Sequence, residues 1–148
     1  MSDASGSARG ALRLGARVLL TVLPLVAGVA HLVDTVEFRG QVPPWLPWRD
    51  AVIVVSGLVE LLLGAALLAA PGPWRPRVGV VVAAFFVLVL PGNISQYLTG
   101  SDAFGLDTDT GRLVRLFFQP VLVAWALWCT GGWALLRSVA RGRRATRP

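Results

Sequence analysis

The sequence predicts an all-α protein, a bundle of four transmembrane helices with both termini cytoplasmic. Three observations lead there. Four apolar stretches, 16–33, 51–70, 78–98 and 113–136, fill more than half of the chain. Each approaches or exceeds the ~20 residues that a helix needs to cross roughly 30 Å of hydrocarbon. A mean hydropathy of +0.65 and 55% hydrophobic residues are too apolar for a soluble domain of this size. Finally, the 14 basic residues are all arginine and gather at particular ends. Arg9, Arg13 and Arg17 precede the first stretch, Arg75 and Arg77 separate the second and third, and Arg137, Arg141, Arg143, Arg144 and Arg147 follow the fourth. The other two connections are net acidic, so one topology alone puts every Arg-rich end on the cytoplasmic side of a plasma membrane. Strand-type alternation is absent, which disfavours an outer-membrane barrel.

Taken in order, residues 1–13 are largely small and polar and read as a flexible tail. Residues 14–136 form the membrane domain and 137–148 a basic cytoplasmic tail. The first stretch is Arg-flanked and contains Gly28-Val29-Ala30, which resembles a signal-peptide cleavage site. Its apolar run continues past that site, which favours a retained helix; cleavage would leave His31 first. In the next connection Pro43, Pro44 and Pro47 prevent a regular helix. Trp45 and Trp48 suit a loop lying flat against the outer headgroups, and Trp74 and Trp133 complete the belt at the opposite ends. The third stretch is broken at Leu90-Pro91-Gly92-Asn93, where proline removes a donor and glycine permits a bend. Trp125 and Trp128 in the fourth stretch are expected to pack against lipid or neighbouring helices.

Several function classes recede on composition. The net charge of +6 invites nucleic acid, but no soluble element interleaves basic and aromatic residues; the partner implied is the lipid bilayer. Cys129 stands alone, which excludes an intramolecular disulfide relay. One histidine, one cysteine and scattered acids make no metal site.

The informative residue is Glu60, at the centre of a stretch otherwise free of charge. A carboxylate there costs on the order of 3 kcal/mol on insertion scales, so such groups face the bundle interior and serve a purpose. Ser56, Gly57, Glu60 and Gly64 share one face, a stripe of small residues beside the acid that suits close helix contact. Pro24, Gly28 and His31 share a face of the first helix. Side chains tilt toward the N-terminus of their own helix. Glu60 and Gln119 therefore point outward while His31 and Asn93 point inward, converging in the outer half of the bundle. The candidate proton-relay groups are Glu60 and His31. The candidate polar cavity adds Asn93, Gln96, Arg115 and Gln119. Interhelical hydrogen-bond glue competes for Asn93 and Gln119, a solvated or capping role for His31, and a protonated structural acid or an ion pair with Arg115 for Glu60. Arg115 alternatively snorkels to headgroups.

Five pieces in order then resemble the DoxX family of small bacterial membrane proteins. They are His31; Phe38 followed by Val42-Pro43-Pro44-Trp45-Leu46-Pro47; Ser56-Gly57-Leu58-Val59-Glu60-Leu61; Leu90-Pro91-Gly92-Asn93-Ile94; and Arg115-Leu116-Phe117-Phe118-Gln119. The likeness covers about residues 15–130. It departs at Leu32, where an aromatic often follows the histidine, and at Gly92, where alanine is more usual. The resemblance implies a four-helix membrane fold and, as in some members, a subunit of a quinone-linked redox complex. In that setting the polar cavity would receive a quinone head group; because the sequence carries no haem, flavin or iron–sulfur ligand pattern, the electron carrier would belong to a partner protein. Two other readings stay open: a non-catalytic assembly or scaffold protein, and a small-solute or proton transporter, which would need a homo-oligomer.

Overall fold

The computed structural model describes residues 2–103 and 105–145, with side chains over 6–143 apart from 104. The expected basic tail is therefore described only in part: Arg147 and the side chain of Arg144 lie outside the described residues. Helices α1 (Ser2–Val33), α3 (Arg49–Ala69), α4 (Arg75–Leu88), α5 (Leu90–Thr99) and α6 (Asp109–Thr130) build the bundle. Between α1 and α3 come a short α2 (Thr35–Phe38) and a 3-10 turn, Arg39–Gln41; after α6 comes α7 (Gly132–Ala145). Four segments are long and apolar enough to cross a membrane: Gly6–Val33, Arg49–Ala69, Arg75–Thr99 and Asp109–Thr130.

The helices close a ring in which α1 lies along α3, α3 touches α4, α4 lies along α6 and α6 touches α1. Leu20, Leu63, Val82, Phe86, Ala126 and Leu127 form the main core inside it. The tightest crossing is between α1 and α3. A Cβ on Gly28 would stand 2.6 Å from the Gly57 carbonyl oxygen, and one on Gly57 2.7 Å from His31 Cβ. Only glycine lets the two backbones approach this closely. Gly64 continues the seam against Leu25, so the small-residue stripe packs as its spacing implied.

The third span bends where the sequence places its break. α4 stops at Leu88, Val89 caps it, and α5 restarts with Pro91 in its first turn. Beyond the break α5 leans on α6 and on the 3-10 turn, and among the described residues its backbone makes no close approach to α3. A second cluster of Phe38, Val42 and Ile53, with Ala30, Leu46 and Val52 against it, packs in this region.

Three expectations need correction. Residues 2–13 are helical rather than an irregular tail, since α1 begins at Ser2 and no proline precedes Pro24 to stop it. The first connection is not wholly superficial: Phe38, Val42 and Pro43 are buried in the bundle, while Trp45 and Trp48 are among its exposed residues. Trp48 turns the chain into α3 from the left-handed region, φ 52°. The fourth span is displaced from the expected 113–136. It starts at Asp109, where the Thr108 side chain accepts from the Gly111 amide, and it stops at Thr130. Gly131, at φ +84°, ends it as a left-handed cap. Trp133 and Leu136 thus belong to α7 and not to a span.

Candidate functional site

The connections 34–48 and 100–108 meet at one end of the bundle, where a Cβ on Gly40 would lie 3.0 Å from the Asp102 carbonyl oxygen. Beneath them opens a cavity of about 870 Å³, within the ~300–1,000 Å³ of ordinary ligand sites. Apolar side chains form most of its wall, among them Phe38, Ile53, Phe86, Phe118 and Leu122. The polar groups are few: His31, Gln41, Ser56, Glu60, Asn93, Arg115 and Gln119.

Glu60 and His31 face each other across the tight α1–α3 seam. Glu60 Oε2 stands 3.0 Å from His31 Nδ1, each side chain 13% exposed. Nδ1 also lies 2.8 Å from the Ala27 carbonyl oxygen, one turn back on its own helix. A proton on Nδ1 is donated to that carbonyl, and Glu60 Oε2 stays buried without a hydrogen bond. The ion-pair distance is therefore a proximity rather than an aligned bond. The imidazole is held from its other face by Phe38, stacked with ring centroids 3.6 Å apart. The ring is thus pinned with Nδ1 beside the Glu60 carboxyl group without a hydrogen bond between them.

Arg115 neither pairs with Glu60 nor snorkels. Its Nη1 donates to Gln96 Oε1 at 3.1 Å and its Nη2 donates to Gln41 Oε1. Both acceptors are neutral, so the guanidinium feels Glu60 only across the cavity. Gln96 is buried behind Arg115 and donates through Nε2 to the Ser101 carbonyl oxygen at 3.4 Å. It orients the arginine and does not line the cavity. Because arginine only donates, the Gln41 amide must turn its oxygen toward Arg115. Its nitrogen is left buried and unpartnered, as is Gln119 Oε1. Native structures leave few buried polar atoms unmatched; here three of them, on Gln41, Glu60 and Gln119, border one space.

The sequence reading brought together His31, Glu60, Asn93, Gln96, Arg115 and Gln119; the structure gathers all of them but Gln96 around one cavity. It missed Gln41 and the role of Phe38, both in the connection. Gly92 was the available signal. A Cβ there would stand 2.9 Å from the Gln41 carbonyl oxygen, so the bend in the third span is where the connection descends into the bundle.

Ion pairs secure the two connections above the site. Arg39 donates to both carboxylate oxygens of Asp50 at 2.7 Å. Those hydrogen bonds, and then the carboxylate charge, raise the Arg39 pKa above its ordinary value against a small desolvation. Arg112 is buried and holds the second connection, donating to Asp102, Asp109 and the Leu106 carbonyl oxygen.

No curated protein and no solved structure matches the chain. One family model does, over residues 20–130, which runs from α1 to the end of α6 and includes every residue of the cavity. The chain belongs to the family described as a domain of unknown function, DUF8561.

Proposed function

We propose that the protein is a multi-pass membrane subunit that receives a quinone head group in this cavity and exchanges protons with it through Glu60 and His31. The observation that carries the reading is the pairing of an apolar wall with three unpartnered buried polar atoms beside the His31–Glu60 contact. A planar ring with carbonyl oxygens fits such a space: Gln41 Nε2 is a free donor at one place and the His31–Glu60 pair a proton exchanger at another. Quinone becomes quinol by taking up two electrons and two protons. The protons pass through the pair and the electrons come from a partner protein. The resemblance to the DoxX family supports a quinone-linked membrane redox complex as the setting. The arginine distribution supports both termini in the cytoplasm and the cavity in the outer half of a bacterial plasma membrane.

The test uses protein purified in mild detergent. Quinone should quench tryptophan fluorescence saturably. Glu60→Gln should keep the fold and quinone binding but lose quinone-dependent proton uptake when the partner complex is present. A stable Glu60→Gln protein with normal uptake would end the relay, and a well-folded wild type that binds no quinone would favour a scaffold role. Reporter fusions after Arg75 and Arg147 should read cytoplasmic and those after Trp48 and Asp107 external; an external C-terminus refutes the orientation.

A further inference from the structure

We infer that α7 is an amphipathic helix lying on the membrane surface, docked there through anionic phospholipid headgroups. The argument starts at Gly131. The last candidate span ends at Thr130, where the left-handed Gly131 turns the chain; a span of this length reaches the boundary between hydrocarbon and headgroups at its end. α7 therefore begins at the interface, continuous with a surface already in lipid. Its start packs on α4 and α6, where Gly132 is buried against Leu127 and Val80 and Leu135 is half-buried.

The remaining faces divide by chemistry. At about 3.6 residues per turn, Leu136 and Val139 fall on the side opposite Arg137 and Arg141; Arg143 follows one turn after Val139 on the same side, so the apolar stripe covers the first two turns and ends in a cation whose long stem reaches headgroups. Leu136 and Val139 are exposed, 39% and 49%, and so is Trp133 at the start of the helix. Among the described residues none covers this apolar side, whereas a bilayer surface would. Arg137 and Arg141 are exposed on the opposite side, and no carboxylate lies anywhere in α7. An apolar stripe, a flanking tryptophan and a purely basic polar face fit an anionic leaflet. Arg75 and Arg77, at the α4 end against which α7 packs, extend the same charge.

The test places the protein in nanodiscs of phosphatidylcholine alone or with added phosphatidylglycerol. In a Cys129→Ala background, Val139→Cys should react readily with a water-soluble maleimide in phosphatidylcholine and be protected with phosphatidylglycerol. Surface attraction is worth about fivefold per arginine, so Arg137→Gln with Arg141→Gln should lower that protection by roughly 30-fold. Equal reactivity of Val139→Cys in the two lipids overturns the proposal, leaving the face to a protein partner. Unaltered protein gives a second readout free of any folding defect. Trypsin should cut after Arg137 and Arg141 more slowly in the anionic discs, and equal rates would overturn the proposal as well.

Discussion

Gly57→Ala adds one methyl group at the crossing of α1 and α3. The new Cβ would meet His31 Cβ at 2.7 Å and the Gly28 carbonyl oxygen at 3.0 Å. Carbon atoms rest about 3.5–4.0 Å apart, so the helices must part by about 1 Å. Backbone and the root of a side chain form the obstacle, and no rotamer change relieves it. Overpacking of this kind costs about 1–3 kcal/mol. The same displacement carries His31 from Glu60, stretching their 3.0 Å approach toward about 4 Å. Leu62→Phe is the control, because Leu62 is 69% exposed on the outer face of α3. It should change stability by no more than about 0.5 kcal/mol. Reversible unfolding in mixed micelles, titrated with a denaturing detergent, measures all three proteins. If Gly57→Ala and Leu62→Phe are equally stable, the helices are not packed as described. Gly57→Leu should fail outright to give folded protein.

Other positions separate distinct causes. Gly131→Ala should cost about 1–2 kcal/mol for conformation alone, since its Cβ would meet only Pro76 at an ordinary 3.7 Å; Gly131→Asn should cost less in the same titration. Gly92→Ala should push Gln41 away from Arg115, and amide hydrogen exchange over residues 38–46 should quicken while the global midpoint moves by about 1 kcal/mol. Unchanged exchange there would mean that the connection is not seated against α5. Arg112→Gln should loosen residues 101–109 in the same experiment and leave the bundle intact, because Asp102 and Asp109 are exposed enough to regain water.

How much was legible beforehand depended on how local the determinant was. The spans announce themselves by length and hydropathy, and the break at Pro91 by covalent geometry. Glu60 stood out because its cost is large against apolar neighbours, and helical spacing sufficed to put it opposite His31. Gln41 could not be found that way. Its position follows from a descent of the chain enabled by Gly92, fifty-one residues later, and neither span nor connection records that encounter in its own pattern. The boundary at Thr130 escaped for a different reason: Trp133, Leu135 and Leu136 continue the apolar character of α6, so hydropathy averages over a stop that Gly131 makes by backbone conformation. Arg115 offered two conventional fates, and its actual partners are two neutral amides that only the folded chain assembles.

Because Phe38, Gln41 and Val42 reach the cavity from a connection, part of the site escapes the demands placed on membrane-crossing sequence. Residues in a span must satisfy insertion, helix packing and recognition together, and each of those restricts the choice at Glu60 or Gln119. A connection inserts after its helices and is judged mainly on what it touches. Changes at 38–46 could therefore retune the shape and polarity of the chamber while the helical frame stays constant. On the proposed reading of the cavity as a ligand site, diversity of ligand within the family is expected to concentrate in that short segment. Exchanging it between two relatives should transfer ligand preference without disturbing assembly of the bundle.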